Sequence, residues 1–315
     1  MDRMTDAYVR NCPTCQKHKV TGTRARGHLP LRELRSSLPW DIIHVDMIGP
    51  WSVDVHCVRS ERTVRRNIQA LTIICEASLW PEIIRTDSKA SAQVARLFDT
   101  NWLCRYPRPS AVVFDNGKEF TGLEFQELLV SYSIKPKPTT VRNPQSNAVV
   151  ERMHLTMADM LRTIKVEVEE EDEELIRTEI NSILQAVAWS LRTTVSTVTK
   201  VSPGQVVFGR DMIFDFNVRA NWRAIEARRL RIAQANNERE NSTRIAHVYA
   251  IGDKVLLTND GKERRKIGDS PYVGPYEIEQ VHDNGTVRIR RNNYSETVNI
   301  RRIKPFNEQT NTTNE

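Results

Sequence analysis

The chain has 315 residues, with 46 Lys and Arg against 40 Asp and Glu and a formal net charge of +6. That length leaves room for two or three domains. No apolar run approaches the roughly 20 residues of a membrane-spanning helix, and the N-terminal MDRMTDAYVRNC lacks the apolar stretch of a signal peptide.

Five scattered cysteines (Cys12, Cys15, Cys57, Cys75 and Cys104) argue against a disulfide framework and for a reducing compartment. In chain order, residues 1–20 carry Cys12-Pro-Thr-Cys15 with His18 close by, and 21–40, rich in Arg, Gly and Pro, read as a linker. Apolar stretches at 41–48, 68–76 and 80–86 predict strands. Val94, Leu97 and Phe98 fall at helical spacing and predict a helix over 90–104. A strand over 110–115, a helix over 121–131, an edge-like piece over 133–140 and helices over 147–165 and 175–192 follow. The acidic run Glu167–Glu174 reads as solvated and suits the N-terminal dipole of the last helix. Residues 221–247 read as a helical spacer. From 249 to 305 the pattern changes to period-two alternation, with Asp283-Asn284-Gly285 as a hairpin turn, which predicts a small antiparallel barrel. The Asn/Thr-rich stretch 306–315 reads as a disordered tail.

Charge is uneven. Residues 217–305 hold 18 Lys and Arg against 11 Asp and Glu, while the remainder is close to balanced. A basic C-terminal region suits a polyanion held through its phosphates.

Three carboxylates stand out by context. Asp46 follows the apolar alternation Ile43, Val45 in DIIHVDMIGP and reads as part of a buried strand. Asp115 closes Ala-Val-Val-Phe and precedes Asn116-Gly117, a strand edge entering a turn. Glu151, in NPQSNAVVERMH, lies one turn into a helical pattern. A carboxylate in a core strand is costly unless it is paired or binds a cation. Three of them converging would make an all-oxygen site of the kind magnesium or manganese prefers.

The segments CPTC, HVDMIGP, WPEI, FDNGKEF, NPQSNAVVER, SPGQVVFGRDM, YVGPYEI and NGTVRI spread over nearly the whole chain. Together they resemble the integrases of gypsy-class LTR retrotransposons, relatives of retroviral integrases. The resemblance implies an α/β fold with a ribonuclease H-like mixed-sheet catalytic core over 41–212. A helical spacer over 213–248 and a basic C-terminal β-barrel over 249–305 complete the expected architecture. Asp46, Asp115 and Glu151 are implied as the catalytic triad, holding two Mg2+ or Mn2+ ions with Asp46 as the bridge. Such a pair of ions serves attack of water or a 3′-hydroxyl on a DNA phosphodiester. The implied partners are double-stranded DNA (element ends and target) and further copies of the chain, with no membrane, in the nucleus or cytoplasm. The rivals are a ribonuclease H-type nuclease and an inactive DNA-binding remnant of an integrase.

Candidate DNA contacts follow from polar and basic residues near these motifs. Asn143, Gln145 and Asn147 precede the Glu151 helix and could touch phosphates or base edges, or serve as turn and capping groups. Arg152 and His154 share that helix, His154 on the face of Glu151. Arg264, Arg265, Lys266, Arg288, Arg290, Arg291, Arg301 and Arg302 crowd the C-terminal module. Cys12 and Cys15 resemble the second half of the family's His-His-Cys-Cys zinc site, and zinc in a structural site wants four ligands. Only eleven residues precede Cys12 and they hold no His pair, so Zn2+ is expected only if the module is completed. Residues 52–67 are unusually charged for a hairpin beside Asp46.

Overall fold

The computed structural model describes residues 5, 8–9, 11–19, 25–31, 38–139, 148–259, 270–291 and 293–307, without the side chains of Ala148 and Val149. The chain divides into two compact units: residues 35–229, and residues 1–34 with 230–315. Among the described residues no helix is long and apolar enough to cross a membrane.

The 35–229 unit is built on a hairpin of two long strands, β1 (Ile42–Cys57) and β2 (Arg62–Cys75). β3 (Pro81–Thr86) pairs with β2, while β4 (Ala111–Phe114) lies parallel to β1 and β5 (Lys135–Pro138) parallel to β4. The order is β3-β2-β1-β4-β5, and a short β6 (Val166–Val168) pairs with the far half of β1. This mixed sheet is the expected α/β core.

The β1–β2 ladder breaks register between Ile48 and Trp51. Gly49 sits there at φ +91°, and a Cβ would meet the Ile68 carbonyl at 2.5 Å, so only glycine fits the bend. Beyond it, the charges of 52–67 find partners: Arg65 pairs with Asp54, Arg66 with Glu173 and Arg59 with Glu170. Val55 and Cys57 alternate inward and are fully buried, so the hairpin keeps one apolar face despite its composition.

Helices cover both faces. α1 (Pro13–His18) belongs to the other unit; here α2 (Ser91–Phe98) buries Val94, Leu97 and Phe98 at the expected spacing. The predicted helix to 104 continues instead as a π-helical turn, Asp99–Leu103. There Thr100 and Asn101 donate side-chain hydrogen bonds to the Arg96 and Leu97 carbonyls, which competes with the regular ladder. The predicted helix 121–131 is two pieces, α3 (Lys118–Thr121) and α4 (Leu123–Ser131). They part at Gly122, where a Cβ would come within 2.4 Å of Ser91 on α2.

α5 (Ala148–Thr163) and α6 (Glu173–Thr193) form the other layer. Asp172 caps α6 by accepting from the N–H groups of Glu174 and Leu175, so the end of the acidic run does hold a helix start. The acidic side chains of the run are exposed as expected, while Val166 and Val168 bury on either side of Glu167 in β6. α7 (Pro203–Phe208) opens on a capping box between Ser202 and Gln205.

α8 (Trp222–Ser242) leads to an antiparallel five-stranded sheet in the second unit. Its strands are β7 (Lys254–Thr258), β8 (Tyr272–His282), β9 (Thr286–Arg291), β10 (Tyr294–Asn299) and β11 (Ile303–Pro305), in the order β10-β9-β8-β7-β11. The expected hairpin turn is present: Gly285 takes φ +76° and Asn284 accepts from the Thr286 N–H. Among the described residues β10 and β11 do not pair, so the sheet is open where a barrel was expected. Leu29, inside the stretch that reads as linker, is 4% exposed and packs with Tyr249, Val255, Ile278, Val287 and Ile303 in this sheet's core. Arg244 and Asn241 bind the backbone of Gly27 and Leu29, and Gln16 exchanges two hydrogen bonds with Asn307.

Candidate active site

The register of the sheet sets two of the three carboxylates. On β1, Ile43 and Val45 point into the larger core, so His44 and Asp46 point to the opposite face, where α5 packs. β4 runs parallel to β1 with His44 beside Val113. Two residues further along, the same offset brings Asp115, just past the end of β4, level with Asp46. Glu151 lies in the first turn of α5.

These groups feel one another. Burial pushes the Asp46 carboxyl up to about 7, and the negative charges of Asp115, Glu119 and Glu151 push the same way against one Met47 N–H hydrogen bond. Asp46 Oδ1 accepts that bond at 2.8 Å, and Asp115 Oδ1 accepts from the Gly117 N–H at 3.0 Å. Glu119 was not among the residues singled out from the sequence. A Cβ on Gly117 would stand 2.8 Å from Glu119 Oε2 and 2.9 Å from Asp115 Oδ1, so the glycine lets the two carboxylates approach. The signal for Glu119 was its place two residues after Gly117 in FDNGKEF.

Two further residues shape the site. Thr72 on β2 lies opposite Asp46, is fully buried and donates to the Asp46 carbonyl at 3.0 Å. His154, one turn after Glu151, was expected at a DNA surface. It is instead turned inward: Nε2 is 2.8 Å from Thr72 Oγ1 and Nδ1 is 3.9 Å from Asp46 Oδ2. Burial lowers its imidazole to about 4. The helical spacing that put His154 on the Glu151 face was right, but that face looks at the sheet, because Val150 and Met153 bury against Ile74 beside it.

The donor chemistry fits a hard divalent cation. A largely buried carboxylate facing three others repels them, and a cation relieves that repulsion. Among the described residues, however, no three His, Cys, Asp or Glu side chains are gathered closely enough to hold an ion. The same holds at Cys12 and Cys15 at the start of α1, where the Cys15 N–H pulls the Cys12 thiol down and Cys12 raises that of Cys15.

The other expected contacts divide into three groups. Asn143, Gln145, Asn147, Arg264, Arg265 and Lys266 lie outside the described residues. Arg152 is exposed on α5, and Arg288 and Arg290 are more than half exposed beside Glu279. Arg301 and Arg302 are turned into their own unit, with side chains 16% and 13% exposed. Arg301 makes a two-pronged pair with Glu240, and Arg302 reaches Glu296. Arg291 lies between Tyr276 and Tyr294 and pairs with Glu296.

A family model described as the integrase core domain matches residues 41–144. The match takes in Asp46 and Asp115 and stops short of Glu151. The chain is 26% identical over 292 residues, 85% of its length, to the retrovirus-related Pol polyprotein from transposon 412 of Drosophila melanogaster. It is 27% identical over 208 residues, 66% of its length, to the Gag-Pol polyprotein of walleye dermal sarcoma virus. It spans 22% of the first relative's length and 10% of the second's. In fold it is similar to a chain of the simian T-cell lymphotropic virus intasome, at a TM-score of 0.59 and 14% identity, covering 97% of this chain and 91% of that one. The likeness is one of fold, and the mixed sheet with its covering helices is the α/β core that the sequence resemblance implied.

Proposed function

We propose that this protein is the integrase of a gypsy-class retroelement, and that it trims the 3′ ends of element DNA and joins them to a target duplex. One observation carries the reading. In a chain whose residues 41–144 match the integrase core domain, Asp46 is partly buried in β1, and burial together with Asp115, Glu119 and Glu151 raises its proton affinity. A site that brings several carboxylates this near one another is suited to divalent cations and, through them, to phosphodiesters.

Asp46, Asp115 and Glu151 would hold two Mg2+ or Mn2+ ions. Bound there, the ions supply activation of the attacking oxygen and stabilisation of the leaving one. The chain's own residues do the rest. β1 and β4 hold Asp46 and Asp115 level, Thr72 fixes the Asp46 backbone, and His154 walls the site from the α5 side. Exposed Arg152, Arg288 and Arg290 are available for phosphate contacts that position DNA. The working form would be an oligomer on double-stranded DNA, acting first in the element's particle and then in the nucleus.

The reading is tested by incubating the protein with its element's terminal DNA and a target duplex, with and without Mn2+ or Mg2+. Joined product that appears only with the cation supports it. Binding of DNA with no joining under any cation would favour an inactive remnant.

A further inference from the structure

The 35–229 unit carries both an apolar knob and an apolar groove. The knob is the turn that follows α7. The Asp211 N–H donates to the Phe216 carbonyl at 3.0 Å, and the Val218 N–H to the Gly209 carbonyl at 2.8 Å. Asp211 Oδ1 accepts from the N–H groups of Ile213 and Phe214, both at 2.8 Å, and buried Gln205 donates to its other oxygen. The turn so braced holds Ile213, Phe214 and Phe216 at 61%, 64% and 49% exposure, with the two rings stacked 6.4 Å apart. A braced turn that presents large apolar groups together to water marks a contact surface. The groove is a cavity of about 930 Å3 between the far half of β1, the end of α5, β6 and the middle of α6. Trp51, Ile68, Leu161, Ile164, Ile183 and Leu184 line it, and no residue of 208–218 does. Its size suits several apolar side chains.

The charges of knob and groove also match. Around the groove Arg162 is paired with Asp159 and Asp54 with Arg65. That leaves Lys165 and Glu167, both exposed and in no ion pair among the described residues. The knob likewise shows one charge of each sign, Arg210 and a fully exposed Asp215 between the two phenylalanines. We propose that the 210–217 turn of one copy of the chain docks in the groove of another, with Phe214 and Phe216 inside and Asp215 against Lys165. Arg210 then faces Glu167. Every copy shows both halves of this contact, so a second copy is the partner that supplies the complement. Burial of the apolar side chains drives the contact, and the rim charges set its register. It gives the oligomer of the proposed function a surface and is independent of the chemistry at Asp46.

The test is sedimentation equilibrium of the full chain without DNA or divalent cations, so that its outcome is separate from that of the strand-transfer assay. The wild type should self-associate below about 100 µM. Replacing both phenylalanines, Phe214→Ser with Phe216→Ser, should weaken association by about tenfold or more. Both side chains are exposed, so the variant should melt like the wild type. Lys165→Glu and Asp215→Lys should each weaken association by about threefold or more, and the chain with both changes should recover most of the loss. Carbodiimide treatment of mixed isotopically light and heavy wild-type chains should join Lys165 Nζ to the Asp215 carboxyl as an amide, the reagent taking up the water. The joined peptides should carry one light and one heavy partner, a result that needs no variant to fold. A wild type that stays monomeric at that concentration overturns the proposal. Undiminished association of the phenylalanine variant also overturns it, and leaves an oligomer standing on another surface. Reversals that the double change does not restore overturn the pairing of Lys165 with Asp215.

Discussion

Thr72 sits directly across the β1–β2 ladder from Asp46, and its hydroxyl donates to the Asp46 carbonyl while accepting from His154. One buried hydroxyl thus ties the sheet to the helix that carries Glu151. Thr72→Val keeps the side-chain shape and removes both bonds, leaving a buried imidazole N–H without its acceptor. The expected cost is about 1–3 kcal/mol of stability, read as a lower midpoint in urea unfolding. An unchanged midpoint would mean that the relay holds nothing.

The raised Asp46 carboxyl makes stability depend on pH. Its folded value, about 7, lies above the roughly 3.9 of an unfolded chain, so the folded state binds the extra proton between the two. The stabilisation is present at acid pH and is lost as pH rises through about 7. In the absence of divalent cations, the wild type should therefore lose on the order of 3 kcal/mol between pH 4 and 8 relative to Asp46→Asn. Unfolding curves of both proteins at several pH values check this, and parallel pH profiles would contradict it.

Arg301 and Arg290 should behave differently toward DNA. Arg301 is paired with Glu240 and is largely buried, so Arg301→Ala should destabilise the C-terminal unit by about 1–3 kcal/mol. It should leave the salt dependence of DNA binding unchanged. Arg288 and Arg290 are exposed, and replacing both should flatten the slope of log K against log salt by up to about 1.8 units. Salt titrations of the two variants separate the cases, and equal slopes would refute the assignment.

Leu29 should matter to the C-terminal sheet although more than 200 residues separate them. Leu29→Ala leaves a hole among Tyr249, Val287 and Ile303 and should cost about 2–4 kcal/mol. Hydrogen exchange of β7–β9 amides should speed up while the 35–229 unit keeps its protection. A change spread equally over both units would contradict a separate core.

Much of this was legible in the residues. The alternation Ile43, Val45 placed Asp46 on the face opposite the main core, and the run Ala111–Phe114 delivered Asp115 to a strand end. What was not legible depends on partners distant in sequence. The periodic helix parts at Gly122, whose backbone turns extended at ψ 154° and where Ser91 leaves no room for a Cβ. Arg301 counts as a free charge until Glu240 is seen beside it, and His154 reads as a surface residue until Thr72 is found across the ladder. Residues 52–67 look too charged for a hairpin only while Glu170 and Glu173 are unplaced.

Under the proposed function, Asp46, Asp115 and Glu151 are the groups that let this protein join DNA. This is tested most directly by measuring strand transfer, with Mn2+, by Asp115→Asn, Glu151→Gln and Glu119→Gln proteins that melt like the wild type. The first two should lose joining by about a thousandfold or more, because each would remove a proposed cation ligand at the reacting phosphate. Glu119→Gln, a neighbour rather than a member of the triad, should stay within about tenfold of the wild type. Joining at wild-type rates by either of the first two would contradict the account.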